Sequence, residues 1–235
     1  MSNSIIQGQA PGLGSEQSYS HKEIFWGDLS DRAYLPGYVQ TNGSVARDVT
    51  NTSYIGTLQP GLLMGKRTSD SLYAPSILGA ITVAFTASGT ELTVSTAVAT
   101  EITRRIGSTG TLLMSGPPSA AGTVATTAVT YSAVSTSTGV ITITAITSAS
   151  YILGSIIRPN DGSGTPKGVL DQELRVTDDD GNNIAATVAK LAVQGTFVAS
   201  QLANYPSDTS LKDWFKGLLN TPSTGPGPCR FNDNF

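Results

Sequence analysis

The residues closest to a known chemical motif are Gly61, Gly65 and Lys66, in the segment LQPGLLMGKRTSDSLYAPSILGA at residues 58–80. A phosphate-binding loop has four residues between its two glycines and a Ser or Thr directly after the Lys, so that backbone N–H groups surround the phosphates and a hydroxyl reaches Mg²⁺. Here three residues separate the glycines, and Arg67 follows the Lys. The segment lacks the loop length and the metal ligand of a nucleotide site, and we interpret it as strand and turn.

The acidic segment DQELRVTDDDGNN, residues 171–183, is the next candidate, because clustered carboxylates can bind Ca²⁺ or hydrolyse glycosides. A calcium loop of the EF-hand type needs oxygen ligands at alternate positions before its glycine, and Val176 occupies the first of them. A turn is the simpler interpretation. Paired catalytic carboxylates elsewhere stay open, since their partners can be distant in sequence, but no pair is marked.

The chain has one His and one Cys, which limits both metal sites and nucleophilic catalysis. Most zinc sites use several His or Cys ligands, and a hydrolytic triad needs a positioned base, so His21 would have to act almost alone. Cys229 lies between Pro228 and Arg230 with no His nearby, and no Gly-x-Ser-x-Gly segment is present. We expect no catalytic residue, no metal site and no cofactor, so the protein is predicted not to be an enzyme.

The charge composition argues against nucleic acid and membrane as partners. The 14 basic and 17 acidic residues give a net charge of −3, whereas nucleic-acid binding requires a clustered basic surface. No apolar run approaches the length of a membrane-spanning helix, and no basic-then-apolar leader opens the sequence.

Short β-branched segments separated by turn residues dominate the chain from residue 41 onward. In GVITITAIT, residues 139–147, Ile141, Ile143 and Ala145 fall on one face of a strand. This period of two predicts strands, and many short strands with turns between them predict an all-β sandwich or barrel. Residues 186–202 are predicted as a strand pair or as one strand bent at Gly195.

The segment SDTSLKDWFKGLLN, residues 207–220, is the one convincing helix in the sequence. Its apolar residues at helical spacing are Leu211, Trp214, Phe215, Leu218 and Leu219. Ser210 with Asp213 three positions later resembles a capping box, which predicts the start of the helix. The apolar stripe is expected to cover one end of the sheet.

Aromatic and apolar residues near both ends of the chain are candidate contacts to a partner protein. Aromatic side chains of this kind dock either on the protein's own core or on a partner, and both alternatives are open. The candidate contact residues are Ile24, Phe25, Trp26, Tyr34, Phe231 and Phe235.

The order of three segments resembles the head decoration proteins of tailed bacteriophages, the group that includes the lambda head decoration protein. The segments are LQPGLLMGKRTSDSLYAPSILGA, GSIIRPNDGSGTPKGVL and VAKLAVQGTFVASQL. In that family a strand from Pro-Gly to Gly-Lys precedes a Tyr-Ala-Pro turn, here Tyr73–Pro75, and a Gly- and Pro-containing loop and a closing β segment follow. The likeness covers residues 41–80 and 152–219 and consists of turns and apolar positions.

The resemblance implies a small β-barrel or sandwich core formed by residues 41–80 and 152–219. Residues 81–151, rich in Thr and Ser, would be an inserted β-rich subdomain; no charged residue occurs between Ile106 and Ile157. Residues 1–40 are expected to form an extended N-terminal arm, and residues 220–235 a C-terminal tail.

The resemblance also implies a function. Proteins of this family bind the outer surface of the expanded capsid, commonly as homotrimers, and stabilise the shell; the expected partners are the major capsid protein and further copies of this chain, and the expected location is the virion. The insertion and the tail depart from the compact members of the family and leave the individual contacts open. The alternative is a tail-fibre or adhesin module whose Thr-rich β region recognises glycans.

Overall fold

A computed structural model describes residues 23–27, 31–35, 39–51, 56–120, 122–146, 149–188, 190–220 and 229–232. The strands in these ranges are β1 (Ala33–Tyr34), β2 (Val39–Asn42), β3 (Thr57–Leu58), β4 (Leu63–Lys66), β5 (Tyr73–Pro75), β6 (Gly79–Ala80), β7 (Glu91–Thr93), β8 (Gly110–Gly116), β9 (Ala125–Val134), β10 (Val140–Ile143), β11 (Ile156–Pro159), β12 (Pro166–Leu170), β13 (Leu174–Arg175), β14 (Ala185–Val188), β15 (Leu191–Val198) and β16 (Cys229–Asn232). They are accompanied by α1 (Thr96–Arg105) and α2 (Thr209–Asn220). The structure is mainly β with a short C-terminal helix, which confirms the predicted fold class.

The first sheet has the strand order β1-β15-β12-β4-β5, and β16 pairs in parallel with β15. Tyr73–Pro75, predicted as a turn, is instead the strand β5, with Ala74 opposite Gly65 of β4. Proline lacks a backbone N–H and is tolerated in a strand at the edge of a sheet, which is where β5 lies in the strand order.

The second sheet has the strand order β6-β11-β8-β9-β10-β7. Strands β6 and β11, at one end of this order, lie outside residues 81–151, so the predicted boundaries of the inserted subdomain cut through one continuous sheet. Two smaller pairs, β2 with β14 and β3 with β13, complete the pairing of the strands named above.

Helix α1 is a finding that the sequence analysis missed, since residues 81–151 were predicted to be β-rich and α2 was the one helix predicted. Ser95 caps its first turn by accepting a hydrogen bond from the Val98 N–H at 3.3 Å. Val98, Ala99 and Ile102 are buried against the inward face of the second sheet. Thr and Val lower intrinsic helix propensity, so burial of this face stabilises the helix where local preference is weak.

Helix α2 buries the apolar stripe predicted for it. Leu211, Phe215 and Leu219 are buried in a cluster with Val169 of the first sheet and Ile156 of the second. The helix therefore packs at the junction of the two sheets. Its first turn is capped by Asp208, whose carboxylate accepts a hydrogen bond from the Leu211 N–H at 3.1 Å, rather than by the predicted Ser210.

Residues 160–165 connect β11 of the second sheet to β12 of the first, and Asp161 in this loop binds two arginines. Its Oδ2 lies 3.3 Å from Nη2 of Arg105, in α1, and 3.3 Å from Nε of Arg67. The Arg105 side chain is fully buried and also donates to the Pro75 carbonyl at 2.7 Å and to the Ser163 hydroxyl. We call Arg67, Arg105, Asp161 and Ser163 the sheet junction.

The two glycines that resembled a phosphate loop have structural roles instead, and Gly65 lies at the sheet junction. A Cβ at Gly65 would lie 2.0 Å from the Ser163 carbonyl oxygen, so the close approach of the 160–165 loop requires glycine there. Gly61 has φ +95°, and its N–H donates to the Leu170 carbonyl at 2.9 Å. The segment is strand and turn, as the sequence analysis interpreted it.

Substitution of Asp161 by Asn is predicted to lower the free energy of unfolding by about 3 kcal/mol at pH 7, because it leaves the buried Arg105 guanidinium without its counter-charge. Burial raises the pKa of the Asp161 carboxyl, but the Arg105 charge, the Ser163 hydrogen bonds and Arg67 together lower it below its ordinary value. Because the Asp161 pKa is lower in the folded protein than its value of about 3.9 in the unfolded chain, the ionised carboxylate stabilises the fold at any pH above that value. This stabilisation is lost as the pH falls below it. Urea unfolding from pH 7 to pH 2 should therefore show the difference between wild type and D161N shrinking below about pH 4.

Asp179→Asn is the matched control, because the Asp179 side chain is 93% exposed and is paired with Arg175 at the surface. It should leave both the stability and its pH dependence unchanged. Equal behaviour of D161N and D179N would contradict the role assigned to the sheet junction.

Candidate interaction surface

Segments from opposite ends of the chain cover the two sides of one strand, the second half of β15. On one side, the backbone N–H of Trp26 donates to the Thr196 carbonyl at 2.8 Å, and the backbone carbonyl of Ile24 accepts a hydrogen bond from the Val198 N–H at 2.9 Å. On the other side, β16 runs in parallel, with Gly195 opposite Cys229. We call residues 24–26, 195–198 and 229–232 the terminal clasp.

Three phenylalanine rings hold the terminal clasp together. The Phe197 ring lies 4.9 Å from that of Phe25 and 6.1 Å from that of Phe231, measured between centroids. Gly195 allows this packing: its φ is +151°, and a Cβ there would lie 3.0 Å from a ring carbon of Phe25. The Arg32 guanidinium covers the Phe25 ring at 4.0 Å. Strand β15 continues through Gly195. Of the two alternatives predicted for residues 186–202, the structure has two strands, β14 and β15.

The structure separates the predicted contact residues into buried and exposed ones. Ile24 and Phe25 are 2% and 4% exposed and belong to the protein's own core. Neither side chain offers the exposed surface that the predicted contact with a partner would need. Trp26 is 50% exposed. Tyr34 is half-buried and donates its hydroxyl to Asp171 at 2.7 Å, and Phe231 is half-buried in β16. Phe235 lies outside the described residues.

Both predicted arms include residues that belong to the folded body. Ile24 and Phe25 are core residues, and β1 and β2 are strands, so the predicted N-terminal arm of residues 1–40 includes part of the folded body; residues 1–22 lie outside the described ranges. In the predicted tail of residues 220–235, Asn220 ends α2 and residues 229–232 form β16. Burial of apolar side chains against β15 explains both differences.

A second surface is the outer face of the second sheet, which carries hydroxyl and methyl groups. Along β9, Val129 and Tyr131 point into the core shared with α1, and the alternating residues point outward. Five exposed outward residues of β9, β10 and the position that follows β10 are Thr126, Ala128, Thr130, Thr142 and Thr144. We call these five residues the hydroxyl face. None of the five is charged, and depletion of charged residues is typical of the centres of protein interfaces. The exposed Glu91 of β7 lies directly opposite Thr142 and places one carboxylate at the border of this face.

The candidate chemical residues do not form a reactive site in the part of the chain that the structure describes. No group of three His, Cys, Asp or Glu side chains in these residues could hold a metal ion. The acidic segment contains a turn, in which the Asp178 carboxylate accepts hydrogen bonds from the backbone and side chain of Asn182. Gly181 provides the positive φ of +81° that this turn uses. Burial raises the pKa of the Cys229 thiol to about 11, and His21 lies outside the described residues.

A cavity of about 450 Å³ lies at one end of the second sheet. It is lined by small and hydroxyl-bearing residues and Tyr151, whose hydroxyl donates to Thr127. None of the described residues that line it is charged. Of the helices in the described ranges, neither α1 nor α2 has the length and apolar character needed to cross a membrane.

No protein-family model, curated protein sequence or solved structure matches this chain.

Phe25→Ala and Trp26→Ala are predicted to have different effects on stability, although the two residues are adjacent. Removing the buried Phe25 ring should lower the free energy of unfolding by about 3 kcal/mol, because it leaves a cavity against Phe197. Removing the half-exposed Trp26 ring should cost less than about 1 kcal/mol. Urea unfolding followed by circular dichroism measures both, and equal losses would contradict the assignment of Phe25 to the core.

Proposed function

We propose that this protein is a structural virion protein that binds the outer surface of a phage capsid, as a homotrimer, and stabilises the shell. The observation that carries the proposal is the terminal clasp. The chain segments before residue 24 and after residue 232 both join the folded body at β15, beside the exposed Trp26. Contacts made by either segment would reach a partner from the same side of the molecule.

The resemblance to decoration proteins supports the proposal because its three segments meet in space. They contain β4, β5 and β6, then β11 and β12, then β15. Strands β15, β12, β4 and β5 are adjacent in the first sheet, and β6 pairs with β11 in the second.

The hydroxyl face supports a role in an assembly. Burying Thr hydroxyls and Ala methyls at an interface avoids the large desolvation cost of charged groups. A homotrimer would present three copies of each contact, so that modest affinity per chain gives firm attachment through effective concentration. Closed threefold symmetry would match a threefold position on a capsid.

The alternative function, a glycan-binding module, has less support. Such sites use exposed aromatic rings, and the aromatic residues of region 81–151 are Phe85, Tyr131 and Tyr151. All three are buried, with exposed fractions of 5%, 2% and 1%.

Trp26→Ala is predicted to weaken binding to the capsid by about tenfold or more, because a half-exposed Trp at a contact is a typical hot spot. The measurement is co-sedimentation with empty expanded capsids that lack a decoration protein, over a range of protein concentrations. Wild type should saturate at a fixed ratio to the capsid subunit. Leu153→Ala is the matched control, because Leu153 is a large apolar residue, 61% exposed, in the loop before β11 and is not one of the residues of the terminal clasp.

Failure of the wild-type protein to sediment with capsids at any concentration would overturn the proposed function. Equal binding of W26A, L153A and wild type would show that Trp26 does not contribute to the contact with the capsid.

Deletion of residues 1–22 is predicted to abolish or strongly reduce capsid binding while leaving cooperative unfolding unchanged. The deletion has to stop there, because removing residues 1–40 would also take Ile24, Phe25 and Val39 out of the core. Binding is measured by the same sedimentation assay, and stability by urea unfolding. Unchanged capsid binding by the truncated protein would show that this segment is not an attachment arm.

A further inference from the structure

Arg158, in β11, is a buried cation without a counter-charge in the described part of the chain. Its exposed fraction is 7%, and burial lowers the pKa of its guanidinium to about 10, so the group stays positively charged at neutral pH. Arg105, the other arginine buried in these residues, has the Asp161 carboxylate 3.3 Å away. No acidic side chain of the described ranges pairs with Arg158. An uncompensated buried charge is costly, and an anion that reached Arg158 would remove that cost.

The Arg158 guanidinium has five N–H donors, and neutral groups accept from only some of them. Nη1 donates to the Gly164 carbonyl at 2.8 Å, and Nη2 donates to the Ser115 hydroxyl at 3.1 Å. The Thr126 hydroxyl lies 3.5 Å from Nη2, which is longer than an ordinary N–H···O hydrogen bond. The buried Nε has no acceptor among the described residues. The guanidinium therefore keeps donors for a further oxygen ligand.

The position of Thr126 connects this guanidinium to the hydroxyl face. Ser115 of β8 is directly opposite Thr126 of β9, and Arg158 is opposite Leu113 of β8, two positions before Ser115. Alternate residues of a strand share a face, so the three polar side chains lie on the outer face of the second sheet. The Trp214 ring of α2 lies over the guanidinium, with its centroid 5.1 Å from the central carbon. Thr126 is exposed, so a ligand can approach from solvent at this residue.

The Thr126 hydroxyl and Nη2 of Arg158 can donate to the same ligand. The Ser115 and Thr126 hydroxyls are 2.8 Å apart, and either can be the donor. When Ser115 donates, the Thr126 hydrogen is free, and Nη2 has a second N–H without an acceptor at ordinary distance. Two donors beside one positive charge match the two oxygens and the single negative charge of a carboxylate. A phosphate carries more negative charge than one guanidinium neutralises, which is unfavourable at a largely buried position.

We propose that Arg158 and Thr126 form a binding site for a carboxylate at the edge of the hydroxyl face. Nη2 of Arg158 and the Thr126 hydroxyl donate to its two oxygens, and we call this pair the carboxylate site. The carboxylate comes either from a free small molecule or from an acidic side chain of the capsid, because covering Thr126 would bury the uncompensated charge further. The first source is independent of the proposed function, and the second rests on it.

The first experiment measures binding of small anions to the protein alone. The chain has two tryptophans, so Trp26→Phe leaves Trp214, which lies over the guanidinium, as the fluorescent reporter. Sodium acetate, chloride and phosphate are titrated separately at pH 7. We expect a saturating change in fluorescence with acetate, at a half-saturating concentration about tenfold or more below those of the other two anions. The same response to all three anions, or no saturating response to acetate, would overturn the carboxylate site.

Thr126→Val and Thr130→Val, made in the Trp26→Phe protein, are the matched pair of variants. T126V keeps the shape of the side chain and removes one donor, so it should raise the half-saturating acetate concentration about tenfold or more. Thr130 is an exposed outward residue of the same strand, and T130V should leave the concentration unchanged. Arg158→Met should abolish the response, and T126V provides the test if that variant does not fold. Equal half-saturation in T126V and T130V would contradict the role of Thr126.

Capsid sedimentation then identifies the source of the carboxylate, with native Trp26 in every variant. A capsid side chain as ligand predicts that T126V binds capsids about tenfold more weakly than T130V, and that acetate competes with the wild type. Equal capsid binding by the two variants, with the acetate response of the T26-substituted reporter protein intact, would assign the site to a free carboxylate. Capsid binding without any acetate response would overturn the carboxylate site and leave the proposed function standing.

Discussion

A buried positive charge determines how the two sheets fit together. The Arg105 guanidinium comes from α1, on the second sheet, and has no exposed surface. A buried charge without acceptors and a counter-charge is strongly destabilising, so β5 must bring the Pro75 carbonyl to it and the 160–165 loop must bring Asp161 and Ser163. One guanidinium therefore links α1 to β5 and to the loop that joins the two sheets.

The same geometry determines where the ends of the chain can bind. With the 160–165 loop fixed, β12 continues into the first sheet and pairs with the first half of β15. The second half of β15 extends beyond β12 and needs other backbone partners, because unpaired buried N–H and C=O groups are costly. Residues 24–26 and β16 supply them. The terminal clasp, which we propose as the assembly surface, therefore forms because the second half of β15 is not paired with β12.

Phe25 and Trp26 show most clearly which properties of the candidate surface could not be predicted from the sequence. Both are large aromatic residues in the same short segment, and local sequence does not distinguish them. In an extended segment, neighbouring side chains point to opposite faces. Which face meets the core depends on Phe197 and Phe231, which are distant in sequence, and no local pattern reveals that pairing. Helix α1 was missed for a related reason, since the sheet face that stabilises it comes from other parts of the chain.

The sequence by itself determined the mainly β class, the apolar stripe and helical span of α2 and the acidic turn, because each depends on side-chain spacing within a few residues. Tertiary structure alone decided that residues 24–25 are core, that β6 and β11 extend the second sheet, and that Asp161 binds arginines 94 and 56 positions away. Local patterns tell which side chains share a face. They do not tell which distant segment covers that face, because that choice is made by the free energy of packing the whole chain.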